Sequence, residues 1–175
     1  MFFNDILGIK DVNKENTKIF CREAIRAIII NNNKILMVKS NTGDYKFPGG
    51  GVKKEENHIE TLKREVIEET GYILNNVNDK LGVIIERNID EFEDNAIFQM
   101  TSHYYLCDLS DKKTVQSLDE YEAELEFLPI WVSVDDAINN NKIIIKEEKD
   151  NMNRWVYRET LVLRYIKNYL ELKKI

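Results

Sequence analysis

Glu65, Glu68 and Glu69 stand at spacings i, i+3 and i+4, shortly after the run Gly49-Gly50-Gly51. On a helix those spacings share one face. Like charges so arranged repel by a few tenths of a kcal/mol per pair, so the helix gains no stability from them. A hard divalent cation takes carboxylate oxygens and would turn that repulsion into ligation. A plain solvated acidic face is the competing reading. At about 100° per residue, Ile59, Leu62 and Val66 fall on one side of segment 57–70 and predict the stripe that packs on a sheet. Glu65 and Glu69 lie beside that stripe and Glu68 further round. The carboxylates are thus expected in a crevice between helix and sheet, where partial desolvation makes pKa values tunable. Gly71, just past the last periodic residue, is a left-handed C′ stop. On this pattern Glu68→Gln and Glu69→Gln remove ligating charge at little cost to the fold.

The 175 residues are read as a single domain, 1–175, long enough for a real core. Apolar residues make up 43% and charged residues 32%, the balance of a globular protein. A formal charge of −6 argues against a nucleic acid polymer or an anionic membrane as partner, since both need basic patches. It leaves a nucleotide substrate open, because a metal can neutralise phosphate locally. No apolar run approaches the roughly 18 residues of a membrane span, and the start, Met1-Phe2-Phe3-Asn4-Asp5, has no basic n-region. Cys21 and Cys107 lack CxxC spacing and are read as free, buried thiols rather than a disulfide or zinc site. A cytoplasmic setting follows, and a homodimer is compatible with it.

Along the chain, Ala24 to Ile30 and Lys34 to Val38 read as strands around an Asn31-Asn32-Asn33 turn. A short strand, Tyr45 to Phe47, leads into the glycines. Leu81 to Glu86 and Ala96 to Leu106 read as an antiparallel pair joined by the acidic loop Asn88 to Asn95. Leu125 to Val134 reads as a strand in which Pro129 marks an edge or bulge. Helical spacing of Leu161, Leu163, Ile166, Tyr169 and Leu170 predicts a long amphipathic helix over about 153–172. His58 is read as first-turn surface and His103 as a strand residue. The glycine run matches neither a P-loop nor a dinucleotide-binding pattern.

Gly50, Glu56, Arg64-Glu65, a large apolar residue, Glu68-Glu69, Gly71 and the closing position Tyr72 together resemble the Nudix box, here 50–72. Tyr72 departs mildly, since the family closes on an aliphatic residue. Phe47-Pro48-Gly49-Gly50-Gly51 resembles the family's approach to the box. Trp131-Val132-Ser133-Val134-Asp135-Asp136-Ala137 resembles its last strand running into a short helix. The resemblance implies an α/β/α sandwich with a mixed sheet. It also implies a hydrolase of nucleoside diphosphates linked to another moiety, dependent on Mg²⁺, with Mn²⁺ an alternative.

By matching positions, Glu65, Glu68 and Glu69 hold the metal, with the Gly49 carbonyl a further ligand. Arg64 orients Glu65 and Glu56 supports Arg64, while Gly50 and Gly71 shape the backbone. The general base is Glu65 or one glutamate among Glu120, Glu122, Glu124 and Glu126; Glu122 is selected by its spacing from Trp131. Arg22, Arg26 and Phe47 are candidate substrate contacts, though the two arginines equally solvate a strand start. Asn151, Asn153 and Trp155 either read a base or, for Trp155 above all, anchor the last helix. Markers of other subfamilies are absent. The only prolines are Pro48 and Pro129, and Ile89 and Asp90 stand where the dinucleoside polyphosphate class carries tyrosine. Nucleoside and deoxynucleoside triphosphates remain the default substrates. A ligand-binding sensor without turnover is the alternative, disfavoured by the intact carboxylate set.

Overall fold

The structure, a computed structural model, describes residues 1–12, 17–147 and 152–173. Its strands are Phe3–Gly8 (β1), Lys18–Ile28 (β2), Ile30–Asn31 (β3), Lys34–Lys39 (β4), Tyr45–Lys46 (β5), Tyr72–Ile89 (β6), Ala96–Lys113 (β7) and Leu128–Val132 (β8). Its helices are His58–Thr70 (α1), Glu120–Glu124 (α2), Val134–Glu147 (α3) and Trp155–Lys173 (α4). One sheet runs β1-β6-β7-β2, with β1 parallel to β6, β2 parallel to β7, and β6 antiparallel to β7. The other runs β3-β4-β5, with β8 antiparallel on β4.

Alternate strand residues serve opposite layers. Ile25 and Ala27 of β2, with Leu36 of β4, pack against Leu62 and Val66 of α1. Ile28, Ile35 and Met37 point the other way, into a core with Val134, Ala137 and Ile138 of α3 and Val162, Leu163 and Ile166 of α4. Two helical layers around mixed sheet make the α/β/α sandwich that the box implied. The Asn turn is as read, with Asn32 and Asn33 at φ 48° and 59°.

Several boundaries differ. β1 was not anticipated, because Phe3 to Gly8 carries little alternation; it is held by its parallel register on β6 and by Phe3 stacked on Tyr165, centroids 4.9 Å apart. β2 begins at Lys18 rather than Ala24, its first half being backed by β7 with little layer over it. For that reason Cys21 is exposed, contrary to the buried reading, whereas Cys107 is buried and burial pushes its thiol up to about 12. The expected strand from Leu125 is interrupted, since Glu126 takes a left-handed φ of 52° and only Leu128–Val132 pairs. The helix after Trp131 is 14 residues long, not short.

α1 is sharply bounded. The Asn57 side chain accepts from the Ile59 and Glu60 N–H groups while Glu60 reaches back to the Asn57 N–H, a complete capping box. At the far end Gly71 has φ 70° and donates to the Ile67 carbonyl. Between the caps the buried face is rotated from the apolar reading. Ile59 is 49% exposed, and Glu65 and Glu69 are buried beside Leu62 and Val66. Ionic and hydrogen-bond partners in the turn and on β5 draw the carboxylates inward.

The other helices are clamped by polar groups. Asp44 is fully buried and accepts from Ser40 Oγ at 2.5 Å, Asn153 Nδ2 at 2.9 Å and Trp155 Nε1 at 2.6 Å. That ties the start of α4 to the β4–β5 loop. Asn141 of α3 pairs with both backbone groups of Tyr45, at 2.8 and 3.0 Å.

A Cβ at position 71 would lie 2.5 Å from the Thr114 carbonyl oxygen, in addition to the left-handed backbone cost. Gly71→Ala should therefore lose at least about 1–2 kcal/mol of stability, read as a lowered denaturation midpoint. An unchanged midpoint would show that α1 does not end this way in solution.

Candidate active site

The site begins in the backbone between β5 and α1. Gly49 has φ 137° and passes so close to β2 that a Cβ would sit 2.0 Å from the Ile25 carbonyl oxygen. Ala27 donates to the Pro48 carbonyl at 2.8 Å and Ile25 to the Gly50 carbonyl at 2.9 Å, fixing the turn on β2. A Cβ at Gly50 would meet Glu65 Oε2 at 2.4 Å. The absent side chain there is the space the Glu65 carboxylate occupies.

Arg64 spans this turn and the helix. Its Nε and Nη2 donate to the two oxygens of Glu56, at 2.6 and 2.7 Å. Its Nη1 donates to Glu65 Oε1 at 2.6 Å and Glu68 Oε2 at 3.0 Å, and its Nη2 reaches the Gly51 carbonyl at 3.3 Å. The guanidinium fork thus separates three carboxylates. Glu69 is 1% exposed and paired with the buried Lys46 ammonium, which also lies 4.5 Å from the Phe127 ring centre. The Gly49 N–H donates to Glu69 Oε2 at 2.9 Å. Burial pushes the Glu69 carboxyl up to about 7, against the pull of Lys46 and the Gly49 amide.

Glu122 comes to the same place from α2. Ligand oxygens of Glu65, Glu69 and Glu122 lie within 4.8 Å of one another. One Glu122 oxygen accepts from the Asp119 N–H at 3.0 Å in the α2 capping box, and burial raises its carboxyl. A crevice of about 340 Å³ opens over Arg64, Glu65, Glu68 and Glu122. Glu120 and Glu124 line a separate depression. An all-oxygen donor set of this kind suits a hard cation such as Mg²⁺ or Mn²⁺.

A second cavity, of about 580 Å³, is lined by Arg22, Arg26, Phe92, Phe98, Arg154 and Trp155 among others. Arg26 joins the two, since its Nη1 donates to the Gly49 carbonyl. That carbonyl, expected to face a metal, is here an acceptor for Arg26, with Lys46 Nζ at 3.5 Å.

Phe47 does not contribute to either space. It is fully buried, edge-on to Tyr104, and its N–H donates to Glu159 Oε2 at 3.2 Å. The expectation of a substrate contact there is corrected: as the residue before Pro48 it anchors the turn from inside. Asn153 is occupied with Ser40, Thr42 and Asp44, and Asn151 lies outside the described residues. Trp155 packs edge-on to Phe127 and also lines the cavity. Nothing in the sequence analysis points to Lys46 or to the cavity residues Phe92, Phe98 and Arg154. The position of Lys46, two residues before Pro48, is the available signal for the first; Phe92 and Arg154 lie outside strands and helices, and Phe98 reaches the cavity from β7. Tyr72 closes the box by accepting from Trp131 Nε1 at 2.7 Å, which gives an aromatic residue a use at that position.

The NUDIX domain family profile matches residues 22–156, and the chain belongs to the Nudix family. Over 34 residues it is 53% identical to an 8-oxo-dGTP diphosphatase of Buchnera aphidicola subsp. Acyrthosiphon pisum (strain APS). That match covers 19% of this chain and spans 27% of that protein. A Nudix hydrolase from Nitrosomonas europaea superposes with a TM-score of 0.55 at 18% identity, over 86% of this chain and 88% of that one. A MutT Nudix hydrolase from Burkholderia pseudomallei does so with a TM-score of 0.50 at 22% identity, over 74% and 99%. These two likenesses concern the fold.

The hydrogen bond from Arg64 holds the Glu56 carboxyl down at about 2, against an ordinary value of 4.5. A depressed carboxylate stabilises the folded chain above its unfolded pKa, and the contribution is lost as pH falls through the folded one. Glu56→Gln should therefore melt below the parent protein at neutral pH. That gap should close as pH falls from about 4.5 to about 2. A gap independent of pH would mean that Glu56 acts by shape rather than charge.

Proposed function

We propose that this chain is a metal-dependent pyrophosphohydrolase of nucleoside diphosphate derivatives, with nucleoside and deoxynucleoside triphosphates as its first substrate class. The observation that carries the reading is the convergence of Glu65, Glu69 and Glu122 within 4.8 Å, beside Glu68, with Arg26 linking the glycine turn to a separate aromatic cavity. The 8-oxo-dGTP diphosphatase likeness supports a nucleotide over another pyrophosphate, although it covers a short stretch.

Glu65, Glu68 and Glu69 would hold Mg²⁺ or Mn²⁺. A bound divalent ion supplies charge neutralisation on the pyrophosphate and a more acidic water. Arg64 fixes the rotamer of Glu65 through its Nη1 hydrogen bond and keeps Glu68 alongside. Glu122 accepts the proton of the attacking water, its raised carboxyl being better matched to that task than an ordinary one. Glu65 is the second candidate for this base. Arg22 and Arg26 face the cavity and donate to phosphate oxygens, while Phe92, Phe98 and Trp155 offer aromatic surface to a base.

Purified protein should release nucleoside monophosphate and pyrophosphate from at least one triphosphate, only with Mg²⁺ or Mn²⁺ present. Binding of nucleotide and metal without turnover across triphosphates, nucleotide sugars and dinucleoside polyphosphates would favour the sensor reading. Glu122→Gln should cut kcat by about 10²-fold or more, with Glu120→Gln and Glu124→Gln near neutral. If Glu122→Gln stays within about twofold, Glu65 is the base.

Glu68→Gln and Glu69→Gln should both lose activity, but they part on stability. Glu68 is partly exposed and neutralising it should leave the melting temperature unchanged, as the sequence implied. Above pH 7, where Glu69 is ionised, Glu69→Gln removes the charge partner of a buried Lys46, and its cost should approach the about 3–5 kcal/mol of a broken buried pair. Equal melting temperatures for the two variants would contradict this.

A further inference from the structure

Neither histidine of this chain is used by the hydrolytic site, yet the fold brings them together. His58 is the first residue of α1, His103 sits in the middle of β7, and Glu23 lies on β2. The two rings stand with centroids 4.9 Å apart. Glu23 Oε1 is 3.1 Å from His58 Nε2 and 2.5 Å from His103 Nε2. One ligand atom from each residue falls within 4.8 Å of the others. Among the described residues, the ion-pair partners of Glu23 are these two imidazoles and no lysine or arginine.

We infer that Glu23, His58 and His103 form a second metal site, one for a borderline transition-metal cation of the zinc class. Two imidazole nitrogens and one carboxylate oxygen are the donors of three-ligand zinc sites whose remaining positions are filled by water. Imidazole selects Zn²⁺, Co²⁺ or Ni²⁺ over Mg²⁺, which prefers the all-oxygen donors of Glu65, Glu68 and Glu69.

Two further observations point the same way. The other ring nitrogen of His58, Nδ1, is held by Tyr105 Oη at 2.8 Å. An outer partner on the second nitrogen is what fixes the tautomer and aim of a metal-bound imidazole. His103 is 9% exposed and, among the described residues, its Nδ1 has no hydrogen-bond partner, so the ring's polar contact there is the one at the cluster. Burial lowers the pKa of His103, which favours the neutral imidazole that a metal needs once Nε2 gives up the proton it shares with Glu23.

The three residues come from three elements, so an ion there would staple α1 to β2 and β7. Glu23 also accepts the Val52 N–H at 3.0 Å through its carbonyl, next to the Ala24–Gly51 bridge. The staple would therefore sit where the glycine turn leaves the sheet. Its effect would be on stability rather than on chemistry, because His58 precedes Glu65 by two turns of helix.

The test is a titration of tag-free, metal-stripped protein with Co²⁺ in the presence of excess Mg²⁺, followed by visible absorption and thermal melting, then displacement by Zn²⁺. A single tight equivalent should appear, with ligand-field bands and a raised melting temperature. His58→Gln and His103→Gln should each weaken it by at least about tenfold, and Tyr105→Phe by a comparable factor through loss of the outer contact. Glu68→Gln should leave it within about twofold. His58 is partly exposed, so His58→Gln keeps the fold even if His103→Gln does not, and circular dichroism without metal checks both. The proposal fails if no Co²⁺ binds at micromolar concentration. It fails equally if binding survives His58→Gln, or if Glu68→Gln abolishes it. Loss of hydrolysis in Glu68→Gln with the Co²⁺ site intact would separate this site from the hydrolytic one.

Discussion

Four carboxylates crowd one side of α1 and its leading turn, and without positive charge between them they would push each other out into water. Arg64 supplies that charge in a planar fork. It meets Glu56 with two nitrogens and divides its third between Glu65 and Glu68. A lysine could not do the same, since an ammonium is a point charge and cannot address two carboxylates in fixed directions. Glu65 can be held 7% exposed because of this. The crevice is thus a set of repulsions balanced in advance by the Arg64 guanidinium.

Deeper in the molecule the same problem recurs with different partners. Lys46 offsets Glu69 on one side of the glycine turn, and on the other Arg158 lies between Glu86 and Glu159. Glu159 in turn receives the Phe47 N–H, so the buried ion network of α4 reaches the residue before Pro48. Buried ion pairs contribute little net stability once desolvation is counted, though losing one partner is costly. Their use here is positional: they fix which way the strand before the glycines faces.

How much of this the sequence reveals depends on how local the cause is. The ends of α1 are legible because a capping residue and a left-handed glycine act within a few residues. The central strands are legible for the same reason, by alternation and by the Asn turn. The inward rotation of α1 is not, because Ile59 is displaced by ion partners on Gly49, Lys46 and Arg64 that periodicity does not register. β1 depends on a register with β6 that is set far along the chain. At the site, the carboxylates and Arg64 could be named from spacing and family likeness. The burial of Phe47, the Lys46 pairing and the meeting of His58 with His103 are outcomes of packing across layers.

The contact between Gly49 and the Ile25 carbonyl gives the crevice one more property. Where two main chains touch, their separation is fixed by atoms that every residue carries, so the distance between the glycine turn and β2 does not depend on side-chain length. Replacements at the exposed positions 22 or 23 can alter what lies around the opening, but they leave that main-chain contact untouched. Tolerance to change is therefore distributed unevenly: generous at the exposed start of the strand, and nearly nil at the glycines that lean on its buried half.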